Sequence, residues 1–188
     1  MHLLRSDLKA YATLLREGSG PRDKLAILIH FLLSPLRFLY KALRMDYSRL
    51  LPWETTLKNR DGRFICGRSL NACRIASTFH ENALRRGFLI SEGVFIDVGA
   101  HIGKYTISVA RNLRDRGEVI SIEPEPTNFS LLERNVALNR LDNVLLIRGA
   151  CSATDGQTTL YIDGTATTLH SIYRYPGLRS VTQVIVPS

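Results

Sequence analysis

The stretch VFIDVGAHIGKYTISVA, Val94 to Ala110, sets an apolar run, an acid, two glycines and a helical pattern within seventeen residues. VFIDV reads as a buried strand, and KYTISVARNLRDR as the helix that follows the turn. The pattern then repeats: EVISIE is a second strand, PTNFSLLERNVALNR a second helix, NVLLIRG a third strand. Strands alternating with helices across short joints pair in parallel through right-handed crossovers. The expected fold class is therefore α/β, a Rossmann-like doubly wound sheet.

After Gly149 the pattern loosens to a short strand, QTTLYID, a polar loop, and another strand, VTQVIVP. Three parallel strands make half of a doubly wound sheet. The expectation is a partial α/β domain over residues 94–188, incomplete in its C-terminal half. Either the chain is truncated, or the free edge of its first strand is protected by the N-terminal region or by a partner, which makes homo-oligomerisation a natural outcome.

Upstream, residues 1–50 read as a helical segment and residues 51–93 as a hairpin and a helix leading into the core. Leu4, Leu8, Tyr11 and Leu15 form one helical stripe that stops at GSGP. The segment Leu25 to Arg44 is the most apolar in the chain, but its uninterrupted run is far shorter than the roughly twenty residues of a membrane span. Arg37, Lys41 and Arg44 give its second half a basic face, so it either packs on protein or lies peripherally on an anionic membrane. Asp61-Gly62 marks a hairpin turn, and Ile75 to Arg86 reads as a helix closed by Gly87.

Charge is uneven. Residues 1–93 carry 16 Lys or Arg against 8 Asp or Glu, while residues 94–188 carry 9 of each. A basic half suits phosphates, anionic lipid or an acidic substrate alike. Because its cations are not interleaved with aromatics as a stacking platform would be, nucleic acid is not the expected partner. Cys66, Cys73 and Cys151 lack zinc spacing and suit a reducing compartment, so a cytoplasmic protein with no metal and no disulfide framework is expected.

In open α/β sheets ligands bind beyond the carboxyl ends of the strands. Asp97, Gly99, Ala100, His101 and Gly103 stand there after the first strand. Gly99 frees the backbone conformation and Gly103 lets the helix start close to the sheet. A dinucleotide fingerprint needs a glycine where His101 stands. With acidic Asp97 before it, the turn opposes a pyrophosphate and favours a ligand bearing a positive group, such as the ammonium and sulfonium of S-adenosylmethionine (AdoMet). Glu123, followed by Pro124 at the end of the second strand, is placed to accept from ribose hydroxyls. Gly149 and Ala150, after the third, would flank an adenine. Singly, each residue also has a plain structural role: Asp97 as a helix cap, the glycines for packing.

The runs GVFIDVGAHIGKYTISVA, VISIEPEPTNFSLLERNVALN and VLLIRGACSATDGQTTLYI resemble successive motifs of the FkbM-type methyltransferases, over roughly residues 75–188. The resemblance implies a methyltransferase sheet and AdoMet dependence, with Asp97, Gly99, Gly103 and Glu123 at cofactor positions. His101 departs from the Asn common there, and the family's later acidic segment is missing. The resulting expectation is O-methylation of a small-molecule or glycan hydroxyl. The alternatives are a non-catalytic cofactor- or partner-binding module and a nucleic-acid methyltransferase. No general base is assigned; His101 and Tyr105 are the residues near the cleft.

Overall fold

The computed structural model describes residues 2–36, 51–79, 87–88, 90–162, 170–174 and 181–188. The chain divides into two compact units, Met1–Ala83 and Leu84–Ser188.

In the first unit, helix α1 (His2–Glu17) turns through Gly18-Ser19-Gly20 into α2 (Pro21–Leu33). Pro21 at the first helical position has no amide to leave unbonded. Asp23 closes the turn by accepting from the Gly20 amide at 3.0 Å, and its other oxygen accepts from the Thr56 amide at 2.9 Å. A 3₁₀ turn, Ser34–Leu36, follows where Pro35 ends the α-helix. The basic half of the Leu25–Arg44 segment lies outside the described residues. Leu25, Leu28, Leu32 and Leu36 are exposed. No helix among the described residues is long and apolar enough to cross a membrane.

Strands β1 (Thr56–Lys58) and β2 (Arg63–Ile65) form an antiparallel hairpin around Asp61-Gly62, held by the Asn59 amide donating to the Gly62 carbonyl at 3.0 Å. Helix α3 runs from Leu70 to Ala76; the greater part of the helix expected at Ile75–Arg86 falls outside the described residues. Two local bonds set the bounds of α3. The Ser69 hydroxyl caps the start by accepting from the Ala72 amide, and Ser77, in extended conformation, accepts from the Phe79 amide and stops the helix. Residues 80–86 lie outside the described residues. Leu14, Ile27, Leu51, Leu57, Phe64, Cys73 and Ala76 make up the buried core of this unit.

In the second unit, β3 (Gly93–Val98), β4 (Gly117–Ile122) and β5 (Val144–Ile147) form a parallel sheet in that order, with Asp97 opposite Ser121 and Ile122 opposite Ile147. Helices α4 (Lys104–Leu113) and α5 (Pro126–Leu138) are the two crossovers. Both cover one face: Val109, Ala110, Leu113 and Val119 cluster with Phe95 and Val144, and Leu132 and Val136 with Val144 and Leu146. Two crossovers advancing in one direction, with the same hand, must fall on one side of the sheet. This is one half of the doubly wound arrangement.

The opposite face is bare. Val94, Ile96, Val98, Leu145 and Ile147 are 41–61% exposed, although parallel sheets are ordinarily covered on both sides. Strands β6 (Gln157–Ile162) and β7 (Thr182–Pro187) pair antiparallel as a separate two-stranded sheet.

Candidate cofactor site at the strand ends

The in-register strands bring Asp97, Gly99, His101 and Glu123 to the carboxyl edge of the sheet. The turn after β3 folds over the end of β4: the Gly99 and Ala100 amides both donate to the Ile122 carbonyl, at 2.9 and 3.1 Å. The Gly103 amide donates to the Ala100 carbonyl at 2.8 Å, and the His101 amide to Glu123 Oε2 at 2.8 Å. Four of the turn's amides are thus consumed by the chain itself. A pyrophosphate would need such amides free.

This geometry requires left-handed backbone. Gly99 has φ +76° and Gly103 φ +90°, and between them His101 reaches φ 53°. A Cβ on Gly99 would meet nothing within 4 Å, so that glycine serves conformation alone. A Cβ on Gly103 would lie 2.6 Å from Leu132 Cδ1, so that glycine also lets α5 pack against the turn. Gly103→Ala combines left-handed strain with a displaced core leucine. Thermal or denaturant unfolding is expected to show a loss of about 2–4 kcal/mol.

Asp97 is buried. Its Oδ2 accepts from the Thr106 amide at 3.0 Å and the Thr106 hydroxyl at 2.6 Å, and that hydroxyl also meets Ser121 Oγ at 2.8 Å. Asp97 therefore does cap α4, with one oxygen only. Oδ1 makes no hydrogen bond among the described residues. Burial pushes the carboxyl above its ordinary value of 3.8, opposed by the two Thr106 bonds.

Glu123 is buried as well and spans two turns. Oε2 holds His101, while Oε1 accepts from the Glu125 amide at 2.9 Å. Burial raises its carboxyl above the ordinary 4.5; the backbone bonds from Glu125 and His101 pull the other way. A carboxylate offers about four acceptor positions; the two amides and the Asn128 side chain take three, so about one remains on Glu123. Pro124 follows it, and Glu125 caps α5 by accepting from the Asn128 amide at 2.6 Å.

Gly149 and Ala150 sit beyond β5 but are not open. The Ala150 amide donates to the Pro187 carbonyl at 2.8 Å, and a Cβ on Gly149 would come within 3.2 Å of the same oxygen. The end of β7 thus occupies backbone groups expected to be free for an adenine. Tyr105 packs its ring against Phe88 at 4.9 Å between centroids.

Sequence reading missed four supporting residues: Thr106, Ser121, Glu125 and Asn135, whose amide donates to the Ile102 carbonyl at 2.9 Å. Thr106 was within reach, since a hydroxyl at the third helical position after a turn is placed to meet an acid at the preceding strand end. A cavity of about 840 Å³ lies at the opposite end of the strands, where Arg111, Arg114 and Arg140 face Asp115, Glu118 and Asp142. Its charges balance, and it lies on the side of the sheet away from the ligand edge of open α/β folds. Among the described residues, no group of three or more His, Cys, Asp or Glu is placed to hold a metal.

Comparison with known proteins corrects part of the sequence reading. Residues 81–161 match the model of the TRM5/TYW2 methyltransferase domain. No curated protein matches significantly. Among solved structures, M. jannaschii TYW2 in complex with AdoMet is 28% identical over 50% of this chain and 42% of its own, with a TM-score of 0.40. Trm5b of Pyrococcus abyssi is 20% identical over 51% and 28%, TM-score 0.38. A complex of aTrm5 with tRNALeu is 20% identical over 50% and 27%, TM-score 0.37. The chain spans less than half the length of each of these proteins.

The resemblance to FkbM-type enzymes is overturned by the family match, which is to the TRM5/TYW2 domain. With it go the expectations drawn from that resemblance, the small-molecule or glycan acceptor and the exclusion of nucleic acid. The physical reason is that the strand-end turn reads a cofactor and carries no record of the acceptor. The α/β methyltransferase-like fold stands, and the identity of residues 81–161 as similar to a TRM5/TYW2 methyltransferase domain is the family-level conclusion.

Proposed function

We propose that the Leu84–Ser188 unit binds AdoMet at the carboxyl ends of β3, β4 and β5 and serves methyl transfer to RNA of the tRNA class. The observation that carries this reading is the occupancy of the turn. Its amides are bonded within the chain, while two buried carboxylates face the edge with acceptor capacity left over. Such a site repels phosphates and accepts donors and cations.

The residues fit the group. Asp97 Oδ1 is free to take the ammonium, and the remaining position on Glu123 suits a ribose hydroxyl. When bound, AdoMet supplies an electrophilic methyl carbon on a sulfonium. The chain's own part is to orient: Thr106 and Ser121 fix the Asp97 carboxylate, Glu123 ties the two turns together, and Asn135 anchors the Ile102 carbonyl. Holding two reactants in line accounts for most of the acceleration available to such a displacement. The RNA acceptor is supported by the TRM5/TYW2 domain match and by the basic first unit.

The test is incubation of the full chain with methyl-labelled AdoMet and total tRNA. Label is expected in the tRNA fraction. Label that enters only small molecules or glycans sinks the acceptor reading.

A further inference from the structure

We infer that the Met1–Ala83 unit carries a binding site for polynucleotide phosphate, seated at Arg16, Lys58 and Arg60. This deepens the function proposed above and rests on its RNA reading. The unit holds 14 Lys or Arg against 7 Asp or Glu, while Leu84–Ser188 holds 11 against 10, so almost the entire excess of positive charge resides here. Part of that excess gathers around one concavity of about 330 Å³, lined by Arg16, Glu17, Lys58, Asn59, Arg60 and Thr78. The volume is at the lower end of ligand pockets, enough for a phosphate with its sugar.

The three cations come from separate elements: Arg16 from the last turn of α1, Lys58 from the end of β1, and Arg60 from the hairpin turn. All three are exposed. Glu17, the one acid among the described residues that line the pocket, is buried and engaged: its carboxylate accepts from the Thr78 amide at 3.2 and 3.3 Å and from the Thr78 hydroxyl. It is turned to holding Thr78 in place. Neither Arg16 nor Lys58 forms an ion pair among the described residues, so both are available to an incoming anion. Asn59 donates its amide to the Ala76 carbonyl at 2.9 Å, which fixes the hairpin turn against α3 and keeps the cations in position. Exposed cations on rigid elements around a concave floor favour phosphate oxygens, and binding through them is salt-dependent.

The test uses the full chain and the double variant Arg16→Ala, Lys58→Ala, with tRNA binding measured by fluorescence anisotropy over a range of salt. Both side chains are exposed, so melting temperature and AdoMet affinity are expected to stay at wild-type values. Affinity for tRNA is expected to fall about tenfold, and the slope of log K against log salt to shrink by roughly one for each phosphate no longer neutralised. The charge-reversal pair Arg16→Glu, Lys58→Glu is expected to lose more. Wild-type tRNA affinity and slope in both variants overturn the proposal. So does binding that follows phosphatidylserine vesicles and not tRNA, or tRNA binding fully competed by millimolar inorganic phosphate, which would mark a single-phosphate site. A variant effect on tRNA without any label transfer from AdoMet would retain this site and remove the proposed activity. Label transfer that is unaffected by the variants would do the opposite.

Discussion

Asp97→Asn is expected to weaken AdoMet binding by about 10- to 100-fold while leaving the fold intact or slightly more stable. Both protein contacts of the carboxylate go to a single oxygen, Oδ2, from the Thr106 amide and hydroxyl. An asparagine carbonyl placed there accepts both, and the new amide group falls where Oδ1 stood. What disappears is the charge facing the ligand's ammonium. A charge-assisted hydrogen bond contributes about 1.5–3 kcal/mol, which converts to that range of affinity. Calorimetric titration reads the weakening and differential scanning calorimetry the stability.

The same residue gives a pH dependence of known sign. Burial raises the folded Asp97 carboxyl above 3.8. A group raised on folding contributes stability that is complete below its unfolded pKa and lost as pH rises through the folded value. Wild-type stability is therefore expected to carry a falling component from pH 3.8 upward that is absent in Asp97→Asn. Cofactor affinity runs the other way: the ammonium needs the carboxylate ionised, so binding strengthens over the same window as pH rises.

Glu123→Gln is the contrasting case, with effects on both fold and ligand. Its two oxygens each accept a backbone amide, from His101 and from Glu125. A glutamine has one acceptor, so one of the two buried amides must face an N–H. Leaving a buried donor unsatisfied costs about 1–3 kcal/mol. The turn after β3 and the entry to α5 both loosen, and AdoMet binding is expected to fall with them. Unchanged melting in Glu123→Gln would mean that the carboxylate does not tie these turns.

These two carboxylates also mark the limit of what was legible in the sequence. The strands and crossovers around Asp97 and Glu123 could be read because apolar runs of fixed length between turn residues have one economical closure, the parallel sheet seen in β3, β4 and β5. The positions of Asp97 and Glu123 at strand ends followed from that closure. Of their partners, Thr106 could be placed by its spacing, whereas the His101 and Glu125 amides that bind Glu123 sit in turns whose conformation no local pattern dictates. The bounds of α3 depend on the Ser69 and Ser77 side chains, which cap its start and stop its end, and no apolar period announces them. Pairing of β6 with β7, and the approach of Pro187 to Ala150, depend on residues far apart in the chain that no local pattern brings together. The acceptor was misread because the turn's chemistry ends at the cofactor.

Whether this turn is built for a cationic nucleoside cofactor and not for a dinucleotide is tested most directly by calorimetric titration of the full chain with AdoMet and with NAD in parallel. Saturable one-to-one binding of AdoMet, weakened in Asp97→Asn, with no heat from NAD is the expected result. Tight NAD binding without AdoMet binding would contradict a site of this kind.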